Sequence, residues 1–331
     1  MAEKQGAYIL AEVTEDAKPT PLSLELMGLG GELASKLGEN LYAVLMGHGL
    51  TAAAQELAGC GAEEVYVLDD EALASYNPDI HLPVLERFFS ERAPKAVLFG
   101  HTSMGQDLAP RLSFALDAGL ITDCVGVEAD AGELSFVRPV YGGNAIATQK
   151  ANTDTVLATV RARVGEAPSP TGGGEVIPLD VEIPTSPRQT ITLRERLESK
   201  ECPLEEAAVV VTGGRGIGGE EGFEQLRELA SLFSGAVGAS RPPVDSGWAP
   251  TTCQVGITGK VVAPDIYIAV AISGSSQHLS GMSESGKIVA INKDPEAYIF
   301  SVSDYGVVGD WNQVLPSFVS KLKGYLSEGG A

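Results

Sequence analysis

Tyr267-Ile-Ala-Val-Ala-Ile-Ser-Gly-Ser-Ser-Gln-His278 is an apolar, strand-like run that drives into a turn of small polar residues around a single imidazole. Such a turn exposes backbone N–H groups and hydroxyls, so a strand ending this way offers a polar cradle to a ligand. The region around it, Val209 to Asp310, repeats the device. Gly213-Gly-Arg-Gly-Ile-Gly-Gly219, Ser240-Arg241, Gln254-Val-Gly-Ile-Thr-Gly-Lys260 and Ile291-Asn-Lys-Asp294 each close or open an apolar run.

Working outward, Ala207-Ala-Val-Val-Val211 reads as a strand, and Phe223, Leu226, Leu229, Ala230 and Phe233 form one face of a helix. Between them Gly214-x-Gly216-x-x-Gly219 matches the dinucleotide fingerprint in its expected setting of strand, turn and helix. The acid expected about 20 residues later, for a ribose, is missing. Ser234 to Val244 holds Arg241 and no carboxylate, and Arg215 interrupts the glycines. The pattern points to a diphosphate-bearing dinucleotide other than NAD.

The first half alternates strand-like and helix-period segments. Strands are expected at Ala7–Val13, Leu41–Leu45, Glu64–Leu68 and Ala96–Phe99, with helices at Leu22–Leu37, Thr51–Ala58, Leu82–Arg92 and Asp107–Leu116. Strands spaced by crossovers pair in parallel with right-handed connections. The turn after the first strand, Thr14 to Pro21, has no glycine and two acids, so no nucleotide is placed there. His48 and His101 read as structural. After Ile121 come consecutive strand-like runs, Asp123–Glu128, Ser135–Val140 and Thr155–Val160, with a reversal at Arg138-Pro-Val-Tyr-Gly-Gly-Asn144. Gly165–Gly174 is expected to be a flexible surface connection, and Val176–Leu193, carrying Pro178, Pro184 and Pro187, to supply edge strands.

At 331 residues the chain has room for two domains. We expect an N-terminal α/β domain over 1–194 without its own cofactor, a charged linker over 195–206, and a Rossmann-like, doubly wound domain over 207–331. A net charge of −21, from 23 basic and 44 acidic residues, disfavours nucleic acid and anionic membranes as partners. No apolar stretch approaches the roughly 20 residues of a membrane span, and no signal-like start is visible. Cys60, Cys124, Cys202 and Cys253 are scattered, so neither a metal site nor a disulfide framework is expected, and a cytoplasmic setting is the default.

These segments together resemble the α subunit of the electron-transfer flavoprotein family. The resemblance is carried by Gly213-Gly-Arg-Gly216, Val237-Gly-Ala-Ser-Arg241 with Val244-Asp245, Gln254-Val-Gly with Thr258-Gly-Lys260, Tyr267-Ile-Ala, Ile272-Ser-Gly274, Gln277-His278, Gly281 and Ala290-Ile-Asn-Lys-Asp-Pro-Glu296. In the first half only Arg138–Asn144 is similar. The resemblance implies FAD held mainly by the second domain, and a β subunit, contacted by the first domain, that carries AMP or a second FAD. It implies electrons taken from flavin dehydrogenases, such as those for acyl-CoA in fatty acid oxidation, and passed to a quinone-linked oxidoreductase or other acceptor.

Position by position, the resemblance puts Arg215 at the diphosphate, Ser240 and Arg241 at the flavin, and Thr258 near N5 within the Val255-Gly256-Ile257-Thr258 turn. Ser273, Gly274, Ser275, Ser276, Gln277 and His278 would wrap flavin and diphosphate, with Asn292, Asp310 and Trp311 toward the adenosine. Ile257 stands where the family commonly has glutamine, and Ser276 where it has Ile or Val.

One-electron reduction leaves negative charge along flavin N1 and O2, so a donor or cation there would stabilise an anionic semiquinone. His278 is the candidate, with Arg241 as a fixed charge; a surface salt bridge is the less expected role for Arg241. No pair of titratable groups is arranged as acid and base, and no nucleophile has a neighbouring base. That fits an electron carrier. An electron-bifurcating complex and an FAD- or NAD-dependent dehydrogenase with its own substrate are the alternatives.

Overall fold

The computed structural model describes residues 5–130, 132–141, 143, 145–170, 172–180, 182–193, 204–205 and 207–327. Its contacts divide the chain into two units, one of Met1–Pro139 with Ile146–Arg194 and one of Val140–Ala145 with Glu195–Ala331. The expected linker 195–206 lies outside the described residues except for Leu204 and Glu205.

The first unit runs β1 (Gly6–Ala11), α1 (Pro21–Leu37), β2 (Asn40–Gly47), α2 (Thr51–Gly59), β3 (Glu64–Asp69), α3 (Pro78–Ser90), β4 (Ala96–Gly100) and α4 (Ser103–Ala115). It continues with β5 (Gly119–Cys124), β6 (Gly126–Asp130), β7 (Glu133–Val140), β8 (Ala145–Gln149), β9 (Val156–Val160) and β10 (Glu175–Pro178). Seven strands form a parallel sheet in the order β10-β3-β2-β1-β4-β9-β5. β1 is apolar on both faces because helices cover both. Ala7, Ile9 and Ala11 pack with α1 and α2, while Tyr8 and Leu10 pack with α3 and α4. On the latter face Tyr8, Tyr42, Tyr66, Phe88 and Phe89 form an aromatic cluster. The Arg92 guanidinium lies 3.8 Å from the Phe88 ring centroid.

Asp123–Glu128 is not one strand: Asp123 adopts φ +64°, the pairing of β5 with β9 breaks register between Ile121 and Cys124, and β6 starts afresh at Gly126. β5 and β9 extend the main sheet, while β6, β7 and β8 form a small separate sheet. Helices α3 and α4 begin earlier than apolar periodicity suggests, because Asn77 and Thr102 cap them. The described residues of the 165–174 segment form a packed strap rather than a loose connection. A Cβ on Gly28 would lie 1.9 Å from the Glu166 carbonyl oxygen, and Gly172 and Gly174 donate to Gly59 and Ala58.

The C-terminal edge of this sheet closes on itself. Thr20 caps α1, Thr102 caps α4, and the Asp69 carboxylate accepts from the N–H groups of Gly49 and Leu50 at the start of α2. Glu12, just beyond β1, accepts at 2.6 Å from the Thr102 hydroxyl and exchanges backbone bonds with Ser23. Burial raises the Glu12 carboxyl above its ordinary range, against the opposing pull of Thr102. An acid raised in the fold releases its proton late, so its contribution to stability falls as pH rises above the ordinary carboxylate range. Glu12→Gln keeps an acceptor for Thr102 and removes the buried charge. The variant should melt at a higher temperature than the parent at pH 7, the gap closing as pH falls toward 4.5, as read by calorimetry.

The second unit runs β11 (Val209–Gly213), α5 (Glu220–Ser231), β12 (Ala236–Ala239), α6 (Arg241–Asp245), β13 (Ile266–Val270), α7 (Ser276–Leu279), β14 (Lys287–Asn292), β15 (Tyr305–Val308) and α8 (Trp311–Ser327). Its sheet is parallel in the order β12-β11-β13-β14-β15. The two faces again alternate: Val209, Val211, Ile268 and Val270 pack with α5 and α8, and Val210, Tyr267 and Ala269 pack on the other side. Strand order reverses direction at β11 and β13. In an open α/β sheet the crevice for a ligand opens there, beyond the carboxyl ends of the strands.

Candidate functional site

Beyond β11 the chain turns through Gly214, Arg215 and Gly216, and beyond β13 through Ala271 to Ser275. The two turns are built against each other. Gly214 donates to the Val270 carbonyl at 2.9 Å, and Ala271, at φ +54°, donates to Ile291 at 2.8 Å. A Cβ on Gly214 would lie 2.0 Å from the Ala271 carbonyl oxygen. Gly214 is therefore required by the neighbouring strand end, and the fingerprint spacing reports that close approach. The Trp311 indole donates to Gly216 at 3.0 Å, fixing the start of α8 to the same turn. A cleft of about 150 Å³ follows, lined by Gly216, Ala271, Asn292, Asp310 and Trp311.

The backbone donors along this edge are treated differently from those in the first unit. Gly214, Gly219, Ser240 and Ser275 stand at the starts of a short 3₁₀ turn, α5, α6 and α7, and none provides a side-chain cap. Ser240 is 8% exposed, yet its hydroxyl is not spent on its own helix. At these four chain entries no N-cap side chain competes for the first N–H groups, a setting suited to an outside acceptor such as a phosphate or a flavin carbonyl.

The second part of the site is a clasp between two turns. Ile257 donates to the Gln277 carbonyl at 2.8 Å, and a Cβ on Gly281 would lie 2.5 Å from the Gly256 nitrogen. His278 closes the clasp from inside: its Nδ1 meets the Val255 carbonyl at 3.1 Å and its Nε2 meets the Tyr267 hydroxyl at 3.0 Å. A carbonyl only accepts, so Nδ1 carries the hydrogen and Nε2 accepts from Tyr267. Burial lowers the imidazole pKa to about 4, the Val255 bond opposing it, and the ring is neutral at pH 7. The residue expected as a donor or cation is, in this structure, a buried imidazole with both nitrogens bonded.

The structure gathers Val255–Thr258 with Ser275–His278, and Gly216 with Asp310 and Trp311. Thr258 is exposed and accepts from Gln254 at 2.9 Å. Ser273, Ser275, Ser276 and Gln277 are exposed, and Gly274 at φ +85° sits against Ile299, whose nitrogen a Cβ would approach to 2.3 Å. Asn292 spends its amide on Ile272 and Asp294, and Asp310 caps α8 through Asn312, so both shape the cleft. Ile257 is 58% exposed. Arg215 is exposed, and Arg241 pairs with Asp245 at 3.2 Å, both about two-thirds exposed. That pair is the surface salt bridge the sequence disfavoured, worth about 0–1 kcal/mol. Sequence reading missed Tyr267 and Ala271. A tyrosine among aliphatic strand residues was the available signal for the first, and nothing in the sequence marks a left-handed alanine.

Comparison with known proteins decides the family. Residues 8–184 match the electron transfer flavoprotein domain, and residues 203–283 match the electron transfer flavoprotein FAD-binding domain. The electron transfer flavoprotein subunit alpha of Thermoanaerobacterium thermosaccharolyticum is 42% identical over 98% of this chain and 99% of its own. The chain belongs to the electron transfer flavoprotein α-subunit family. The α subunit of Megasphaera elsdenii is 41% identical over 98% of both chains. Lactate dehydrogenase (NAD(+),ferredoxin) subunit LctC of Acetobacterium woodii is 34% identical over 92% of this chain and 74% of its own. The cofactor of the second unit is FAD. The open donors of its sheet edge and the exposed hydroxyls of the Ser273–Gln277 turn fit a diphosphate and a flavin rim. Among the described residues no helix is long and apolar enough to cross a membrane, and no group of acids, histidines and cysteines could hold a metal ion.

Proposed function

We propose that the chain is the α subunit of a heterodimeric electron transfer flavoprotein, carrying electrons from flavin dehydrogenases to a membrane-linked or other acceptor. The observation that supports this most is the contrast between the two sheet edges. In the first unit Thr20, Asn77 and Thr102 cap α1, α3 and α4 with their own side chains, whereas in the second Gly214, Gly219, Ser240 and Ser275 supply no side-chain cap, and a cleft opens at Gly216 and Ala271. FAD supplies the one-electron chemistry. The protein's residues hold and orient it: Arg215 and the open N–H groups toward the diphosphate, Ser240, Arg241 and Thr258 toward the flavin, and Ser273–Gln277 between them. A β subunit completes the proposed complex, with AMP or a second FAD in it.

Co-expressed with its β subunit, the chain should purify yellow, with FAD near one per α subunit. Added FAD at 100 times its Kd should stabilise the stripped protein by about 2.7 kcal/mol. A stable, colourless complex whose melting ignores FAD would overturn the reading. A second reading, an electron-bifurcating complex, draws on the relative whose name couples NAD and ferredoxin.

A further inference from the structure

Thr212, on β11, carries a hydroxyl oxygen that is buried and meets no hydrogen-bond partner of ordinary geometry. Such an atom is destabilising, and a native protein keeps few of them. Its place is informative. Val210 on β11 is in register with Tyr267 on β13, and Thr212 follows on the same face of the sheet, beside the phenol. The Thr212 hydroxyl acts on the Tyr267 phenol as a hydrogen-bonding neighbour, although no aligned bond closes between them. Thr212, Tyr267, His278 and the Val255 carbonyl thus stand in a row, buried, with bonds of 3.0 and 3.1 Å on the two sides of the imidazole.

The Val255 carbonyl fixes a hydrogen on Nδ1 and leaves Nε2 as the only site for a second proton. With Nε2 bare, the Tyr267 hydroxyl donates to it, and the Thr212 oxygen waits without a donor. With Nε2 protonated, the new N–H donates to the Tyr267 oxygen, and the phenol hydrogen turns to Thr212, which gains the partner it lacks. Both states leave the imidazole fully bonded. An apolar residue at 267 would support neither, and one at 212 would leave the phenol hydrogen unplaced in the protonated state.

We propose that Thr212 and Tyr267 are positioning residues of a reversible relay that lets His278 take up one proton when one electron, and with it negative charge, arrives on the neighbouring FAD. This rests on the functional reading above, which brings the flavin to the clasp held by His278. The balance is one electron from a reduced flavin dehydrogenase to the FAD and one proton from solvent to Nε2: an O–H bond of water breaks, the Nε2–H bond forms, and the hydroxide stays in bulk water. Among the described residues no charged side chain acts on the ring; burial and the Val255 carbonyl set its protonation, and Tyr267 is the titratable group in contact with it. Arg241 and Lys260 on the adjoining turns are paired with Asp245 and Glu205. The charge that calls the proton in therefore comes from the cofactor.

The test uses the full complex, labelled with ¹⁵N-histidine, with His278→Gln to assign the resonance. In the oxidised protein at pH 7, His278 should show the neutral Nδ1–H form. After one-electron reduction Nε2 should be protonated. The first-electron equilibrium should then change tenfold per pH unit between pH 6 and 8, which is 59 mV for one electron. Tyr267→Phe should abolish both the slope and the Nε2 signal change while the protein keeps its FAD, and Thr212→Val should reduce the slope while leaving the oxidised-state spectrum intact. A yellow protein whose His278 stays neutral on reduction, or whose pH slope survives Tyr267→Phe, overturns the relay alone. A colourless protein overturns the functional reading and the relay together.

Discussion

Gly214→Ala should cost the second unit about 3 kcal/mol, the upper end for overpacking a filled site, and strip the protein of FAD. The added methyl group would lie 2.0 Å from the Ala271 carbonyl oxygen and 2.6 Å from its carbon, both backbone atoms. Neither can swing aside as a side chain would. Moving them would break the bonds from Gly214 to Val270 and from Ala271 to Ile291 that align the ends of β11, β13 and β14. Gly218→Ala is the matched comparison. Gly218 adopts φ +87° but faces open space, so its variant carries backbone strain of about 1–2 kcal/mol and no collision. Thermal denaturation followed by the fluorescence of Trp248 and Trp311, both in this unit, and the flavin absorbance of the purified protein check the pair. Gly214→Ala should be colourless and markedly less stable, while Gly218→Ala stays yellow. Equal behaviour of the two would mean that the turn is not packed as described.

The same contact shows how far sequence reading reached. The alternation of Tyr267–Val270 and the small turn after it were legible because a buried strand and a polar turn differ in every residue type. The fingerprint glycines were visible too, but their cause was not. The pattern suggests a backbone approaching a diphosphate, whereas Gly214 is demanded first by the carbonyl of a left-handed alanine 57 positions away in sequence. A φ sign at Ala271 leaves no trace in composition. The Gly165–Gly174 strap was misread for a related reason. Glycine and proline signal a chain that can turn, and only the packing of Gly28 under Glu166 shows that this one is held. Helix starts at Pro78 and Ser103 were placed late because periodicity sees apolar faces and not the caps at Asn77 and Thr102.

The functional side chains divide in the same way. The clasp was legible as two motifs, Gln254–Lys260 and Ser273–His278, but their joining through His278 and Val255 is a tertiary fact. Arg241 was expected to stay free for a ligand. Its spacing of four residues from Asp245 on one short helical turn is what pairs them, an ordinary helical geometry that the prolines at 242 and 243 did not prevent. The pair is exposed and weak, so an anion at the site can compete for the guanidinium.

Acidification should destabilise the two units through different histidines. In both His81 and His278 burial lowers the imidazole pKa from 6.5 to about 4, while hydrogen bonds to the carbonyls of Asn77 and Val255 pull the other way. A base whose pKa is depressed in the fold stays neutral there while the unfolded chain takes up protons. Stability is then full above pH 6.5, is lost as pH falls from 6.5 to 4, and levels off below. A drop of that size corresponds to roughly 3 kcal/mol for each ring. His101 is lowered as well, mainly by burial and against the pull of Asp123, and adds to the loss in the first unit. Glu12 and Glu25, whose pKa values burial raises, act in the opposite sense and soften it. Urea midpoints of the stripped protein between pH 7 and 4 should therefore fall in both units. His81→Gln should flatten the pH dependence of circular dichroism, which senses the whole chain, and leave that of tryptophan fluorescence, which senses only the second unit. His278→Gln should flatten the fluorescence dependence and lower its starting value, because it also opens the clasp between Val255 and His278. FAD release on acidification should follow the second histidine alone: protonating His278 without a compensating charge on the cofactor places an unpaired cation inside the turns that hold it, whereas protonating His81 leaves those turns untouched. Release that tracked His81→Gln instead would mean that the clasp does not hold the cofactor.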